Sequence, residues 1–142
     1  MSRVRDIVHN RDLFSVEETD TVADVARRMA ELHVGAILVL SAGDLRGLFS
    51  ERDLMRRVVL ERLDPERTPV SDVMSRDLAT IDEQASIEDA MEMMRRCNCR
   101  HLPVLRDGRV VAFLSMRDVM NYELERKTEE LHHMRAYIHG SA

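Results

Sequence analysis

Apolar positions along the chain fall into blocks of two periods, and the same series of blocks comes round twice. Short apolar segments from Phe14 to Val16 and from Ala79 to Ile81 predict strands. Each leads to a hydroxyl and an acid three residues apart, Thr21-x-x-Asp24 and Ser86-x-x-Asp89, which fits a capped helix start with a carboxylate in its first turn. Val22, Val25, Ala26 and Met29 then share one face at helical spacing, as do Ile87, Ala90, Met91 and Met94, so helices are expected to run to about His33 and Asn98. These methionines read as core filler rather than as cofactor contacts.

The run Ala36-Ile37-Leu38-Val39-Leu40 predicts a strand buried on both faces, with Leu102-Pro103-Val104-Leu105 as its counterpart. Gly43-Asp44 and Asp107-Gly108 predict tight turns into second strands, Leu45 to Phe49 and Val110 to Leu114. A helix from Glu51 to Leu63 should close the first series, and Pro65 and Pro69 mark a short connection. The second series reopens at Val70-Ser71-Asp72-Val73-Met74, an echo of Val4-Arg5-Asp6-Ile7-Val8. After Asp118 the last helix should continue to Ile138, with Met120, Leu124, Leu131, Met134 and Ile138 on a heptad stripe broken by Lys127. An apolar stripe on a helix that has left its core calls for a partner, and a second copy of the chain offers the same stripe in return.

Sliding the sequence by 65 residues aligns Ser15 to Leu54 with Thr80 to Val119 without a gap. Nine pairs are identical: Glu18/Glu83, Asp24/Asp89, Met29/Met94, Val39/Val104, Leu40/Leu105, Gly43/Gly108, Ser50/Ser115, Arg52/Arg117 and Asp53/Asp118. Average composition predicts roughly two or three by chance. The chain is therefore a duplication of the mixed α/β (α+β) class, each copy reading strand, helix, strand, strand, helix. We assign 4–63 to the first copy, 64–69 to a linker, 70–120 to the second copy and 121–142 to a helical extension. With 142 residues in all, the copies are expected to be halves of one compact unit, because either alone would be marginal.

Apolar residues make up 44% of the chain, yet no apolar run approaches the roughly 18 residues that cross a membrane. The opening Met1-Ser2-Arg3-Val4-Arg5-Asp6 lacks the apolar stretch of a secretory signal, so the expected setting is the cytoplasm. A formal charge of −5 with interspersed signs disfavours nucleic acid as a partner, and no reading helix stands out. Cys97, Cys99 and His101 look like part of a metal site but leave a tetrahedron incomplete, and Cys99 is explained as a small strand residue. No metal is expected to be needed for folding. A disulfide between such close cysteines would be strained.

The repeated cluster Ser50-Glu51-Arg52-Asp53 and Ser115-Met116-Arg117-Asp118 sits where a strand hands over to a helix. One reading is a capping box used twice. The other is a nucleotide site: a helix start suits phosphate, an ionised Asp can accept from two ribose hydroxyls, and the shared Arg can pair with phosphate oxygens. Spacing alone leaves both open.

These residues, together with Gly47-Leu48-Phe49, Val70-Ser71-Asp72-Val73-Met74 and Arg100-His101-Leu102-Pro103-Val104, resemble a tandem pair of cystathionine β-synthase (CBS) domains, a Bateman module. The resemblance runs from Val4 to about Val119. It implies two βαββα halves about a pseudo-two-fold axis, a homodimer, and two clefts for an adenosine-containing ligand such as AMP, ADP, ATP, NAD or S-adenosylmethionine. Carried over, one cleft would join Ser50, Arg52 and Asp53 to Met74, Ala79 and Cys99, with Arg100 and His101 near the phosphates; a solvated strand edge is the other reading of that basic pair. The second cleft would join Ser115, Arg117 and Asp118 to Val8, Phe14, Val34 and Gly35. Because Gly35-Ala36 stands there in place of Arg100-His101, and Ala112 in place of Gly47, the Asp53 cleft is expected to be the stronger.

No nucleophile elbow, triad spacing or Walker loop is present, and His132-His133 has no spaced third ligand. The chain is thus read as a non-enzymatic regulatory module that senses a nucleotide and signals through its dimer to an unidentified protein target. A ligand-free dimerisation module is the competing reading.

Overall fold

The computed structural model describes residues 2–140, so the last two positions of the expected extension, 141 and 142, lie outside the described residues. The first copy contains α1 (Val4–Val8), β1 (Ser15–Glu17), α2 (Val22–Leu32), β2 (Ala36–Ser41), β3 (Asp44–Ser50) and α3 (Glu51–Asp53), which runs on as a π-helix over Leu54–Val59. After a single 3₁₀ turn at Val70–Asp72, the second copy adds β4 (Ile81–Asp82), α4 (Ile87–Cys97), β5 (His101–Arg106), β6 (Arg109–Ser115) and α5 (Met116–Gly140). Each copy builds one three-stranded sheet, ordered β1-β2-β3 and β4-β5-β6, with a parallel pair followed by a hairpin.

Local signals account for most of these elements. The hydroxyls of Thr21 and Ser86 accept the Asp24 and Asp89 amides at 3.2 and 3.0 Å, closing the helix starts that the sequence predicts. His33 and Asn98 end α2 and α4 in the left-handed region, at φ 56° and 52°. The hairpins carry matching bulges, after Val39 and after Val104.

Three details differ from the sequence expectation. The first hairpin turns on Ala42-Gly43 rather than Gly43-Asp44, with Ser41 opposite Asp44 and positive φ at both turn residues. That matches Asp107-Gly108 in the second copy, a two-residue loop whose twist suits the flanking strands. The helix expected to reach Leu63 leaves α geometry at Leu54, where wider turns begin and Leu60 and Leu63 donate to the carbonyls of Met55 and Val58. The last helix starts at Met116, directly after the Ser115 cap as expected, but runs two residues past Ile138, through Gly140.

The two cores exchange their leading segments. Val70, Val73 and Met74, which open the second copy, are buried with Val25, Ile37 and Phe49 of the first. Val4 and Val8, which open the first copy, are buried with Ile87, Leu102 and Leu114 of the second. Backbone hydrogen bonds fix both crossings: Val70 and Ser71 donate to Asp20 and Glu18, while Val4 and Arg5 donate to Ala85 and Glu83. The Tyr122 hydroxyl on α5 also donates to Ser2 Oγ at 2.7 Å.

Candidate nucleotide cleft

The two Ser-x-Arg-Asp clusters have the same backbone geometry and different surroundings. In both, the serine hydroxyl accepts the Asp amide (3.1 Å at Asp53, 3.0 Å at Asp118) while the carboxylate accepts the serine amide (3.0 and 2.9 Å). The capping box is therefore present twice, as the first reading held.

Around Asp53 the chain supplies the remaining partners itself. Ser75 Oγ donates to both carboxylate oxygens at 3.2 and 3.4 Å, Ser50 Oγ donates at 3.1 Å, and Arg57 Nε lies 3.6 Å away. Ser75 is held there by two backbone bonds to Leu48, which pair it with β3 like a short extra strand. Gly47 permits this approach. A Cβ at that position would lie 2.7 Å from Met74 Sδ and 2.7 Å from the Ser75 carbonyl oxygen. Asp53 is left only 7% exposed.

Asp118 instead faces a cavity of about 1000 Å³ between the two copies. The second copy lines it with Arg100, His101, Phe113, Ser115, Met116, Arg117, Met120 and Asn121; the first contributes Arg11, Asp12, Phe14, His33, Val34, Gly35, Ala36, Ile37 and Glu51. Arg11 Nη1 bonds Asp118 Oδ2 at 2.9 Å. Burial opposes the Asp118 charge, but the hydrogen bonds from Arg11 and Ser115 outweigh it and hold the carboxyl below its ordinary value. At position 112, where the first copy has Gly47, an alanine stands, and no bridge to β6 from the segment after α1 forms among the described residues.

The sequence-expected grouping changes accordingly. Phe14, Val34, Gly35, Ser115, Arg117 and Asp118 come together as expected, but Val8 is buried in the second core instead of lining the cavity. Arg100 and His101, assigned from sequence to the Asp53 cleft, lie at the Asp118 cavity. The hairpin register is the reason: His101 pairs with Ser115, and the Arg100 carbonyl accepts the Met116 amide. Of the other residues expected at Asp53, Met74 fills the first core, Ala79 and Cys99 pack against the second, and Arg52 is exposed on α3. Arg11 escaped the sequence reading, although a signal existed: Arg11-Asp12-Leu13 recurs as Arg76-Asp77-Leu78 at the same offset of 65.

His101 stacks on Phe113 with ring centroids 5.0 Å apart. Burial pushes its imidazole below the ordinary histidine value, Asp118 pulls the other way, and Arg100 adds to the lowering. A folded-state value below the unfolded one means that stability is full above the unfolded value and is lost as pH falls through that window. Thermal melts should therefore drop as pH goes below about 6.5, and less so for His101→Phe. Parallel pH dependence in the two proteins would locate the effect elsewhere.

Among the described residues there is no group of three or more His, Cys, Asp or Glu side chains placed to hold a metal, and no helix long and apolar enough to cross a membrane. Cys97 and Cys99 are free thiols, exposed and half-buried respectively.

Known proteins match this architecture. The family model described as CBS domain matches residues 4–60 and again 70–125. The mitochondrial CBS domain-containing protein CBSX3 of Arabidopsis thaliana is 32% identical over 126 residues, covering 85% of this chain and 61% of that protein, so the chain spans about three fifths of this relative. A protein with CBS domains from Burkholderia ambifaria MC40-6 superposes with a TM-score of 0.82 at 29% identity, over 87% of this chain and 95% of that one. A CBS domain protein from Pyrobaculum aerophilum, solved in complex with AMP, superposes at 0.74 with 31% identity, over 82% and 88%. Two family matches in tandem, on a fold in which each copy forms its own three-stranded sheet and completes the other's core, identify the chain as a member of the CBS domain family, built as a paired module.

Proposed function

We propose that the chain is a regulatory module that binds an adenosine-containing nucleotide in the Asp118 cavity and transmits the binding through a homodimer. One observation carries the reading: three arginines from both copies, Arg11, Arg100 and Arg117, converge with Asp118 on a cavity of about 1000 Å³. The AMP complex of the Pyrobaculum relative supports the ligand class. In this reading Phe14 and Val34 offer apolar surface to the base. The Asp118 contacts with Ser115 and Arg11 fall on Oδ2, which leaves Oδ1 for ribose hydroxyls, and the arginines meet the phosphate. This reverses the order expected from the sequence, because at Asp53 the chain's own Ser75 hydroxyl occupies the acceptor that a ribose would use.

Signalling requires two states with different ligand affinity. Arg11 is placed to provide the difference: it bonds Asp118 and lines the cavity, so a nucleotide phosphate would compete with Asp118 for its guanidinium. No catalytic step is part of this reading, since the Ser115 hydroxyl is used in the cap. The dimer draws support from exposed apolar pairs at the repeat offset, Met55 with Met120 and Val59 with Leu124, which put similar patches on both copies.

A thermal-shift panel of AMP, ADP, ATP, NAD and S-adenosylmethionine tests the proposal. A ligand at a hundredfold excess over Kd stabilises the native state by about 2.7 kcal/mol, which is on the order of 5–10 °C for a chain of this size. No shift with any of the five at millimolar concentration would leave the dimerisation-only reading.

A further inference from the structure

Helix α5 is 25 residues long, yet the family match ends at residue 125. Its last buried core residue is Val119. Beyond that point Met120, Leu124, Lys127, Leu131, Met134 and Ile138 follow one another at alternating intervals of four and three, the spacing of the a and d positions of a coiled coil. The apolar members are all open to solvent, with Leu124 at 66%, Leu131 at 56%, Met134 at 60% and Ile138 at 64% exposure. A stripe this exposed on a helix this long needs a second surface.

We infer that the segment from Met120 to Ile138 pairs with the same segment of a second copy as a parallel two-stranded coiled coil. This rests on the homodimer of the preceding reading and extends it to a defined geometry. Charge fixes the occupant and the direction. With Leu124, Leu131 and Ile138 at a, Glu130 falls at g and Arg135 at the following e position, the two positions that meet across a parallel dimer. Two-fold symmetry forms the pair twice. In an antiparallel arrangement the g positions meet one another, which sets Glu130 of one copy near Glu130 of the other.

Glu130 lies 4.0 Å from Arg126 of its own helix, at the limit of an exposed contact, and can turn to the other copy at little cost. Lys127 is the polar interruption at d. Facing its counterpart there, it lowers stability while fixing register, with Glu123 and Glu130 one turn away on either side. Fewer than three heptads would be marginal alone, but Met120 and Leu124 continue the apolar patch of the paired bodies, which hold the two helices at high effective concentration.

Sedimentation of the full chain, of a chain ending at Glu125, and of charge variants tests the inference, with nucleotide titration of each as a separate readout. The full chain should dimerise at least tenfold more tightly than the truncated one, with nucleotide affinity alike in both. Glu130→Arg and Arg135→Glu should each weaken the dimer, and the double swap should restore it. In a Cys97→Ser/Cys99→Ala background, Ile138→Cys should cross-link two copies under mild oxidation. Equal dimerisation of full and truncated chains overturns the coiled coil, and strengthening by Glu130→Gln, which would relieve a Glu130–Glu130 contact, or a dimer that Ile138→Cys fails to cross-link, overturns its direction. A full chain that stays monomeric sinks the homodimer too; a dimer that binds no nucleotide sinks the cavity reading and leaves the coiled coil standing.

Discussion

Asp118→Ala should weaken nucleotide binding by about 1.5–3 kcal/mol, roughly tenfold to a hundredfold in Kd, whereas Asp53→Ala should leave affinity nearly unchanged. The two carboxylates share a cap, but only Asp118 opens on the cavity; the Asp53 oxygens are taken by Ser50 and Ser75. Asp53→Ala should instead lower the melting temperature, since it removes the buried acceptor of the half-buried Ser50 and Ser75 hydroxyls and of the Ser50 amide in the helix cap. Calorimetry on the two variants separates the roles. An affinity loss confined to Asp53→Ala would mean that a ligand displaces Ser75 and that the first cleft is the working one.

The second large effect is expected at Gly47. Its φ does not require glycine, but its surroundings do: any side chain there begins 2.7 Å from a backbone oxygen and from a core methionine. Gly47→Val should destabilise the fold by about 1–3 kcal/mol or more, because Met74 is packed in the first core and the Ser75 carbonyl is tied to Leu48. Chemical denaturation with an unchanged m-value would report this as lost stability of the native state. A variant as stable as the parent would show that the Met74-Ser75 segment moves aside freely.

Much of the architecture was legible because it is written locally. Hydroxyl caps at Thr21 and Ser86, glycine turns at residues 43 and 108 and two apolar strands each announce themselves within a few positions, and the offset of 65 ties them together. The site was legible in composition and less so in grouping. Ser115, Arg117, Asp118, Phe14, Val34 and Gly35 share the cavity as expected. Arg100 and His101 stand at the other carboxylate from the one that the cross-copy pattern implies, because the hairpin register sets His101 beside Ser115. The glycine-to-alanine change between 47 and 112 is plain in the sequence, but its sense depends on which backbone approaches. Gly47 admits the chain's own Met74-Ser75 segment, a contact between distant parts that no local pattern encodes. The π turn after Asp53 has no sequence signal that we can name.

The exchange of leading segments has a consequence for how such a chain assembles. Each copy's arm covers the other copy's core, so a single copy in this arrangement would take its cover from a second molecule. In the tandem chain that encounter between molecules is an event within one. The exchange also sets an order of completion: the first core closes once residues 70–74 have been made, while the second, assembled from Ile81 to Val119, is sealed by Val4 and Val8, which left the ribosome long before. The same arm continues directly into Arg11. Losing a few residues at the front of this chain would therefore be felt at its far half, where the arm is both the lid of the core and one wall of the cavity.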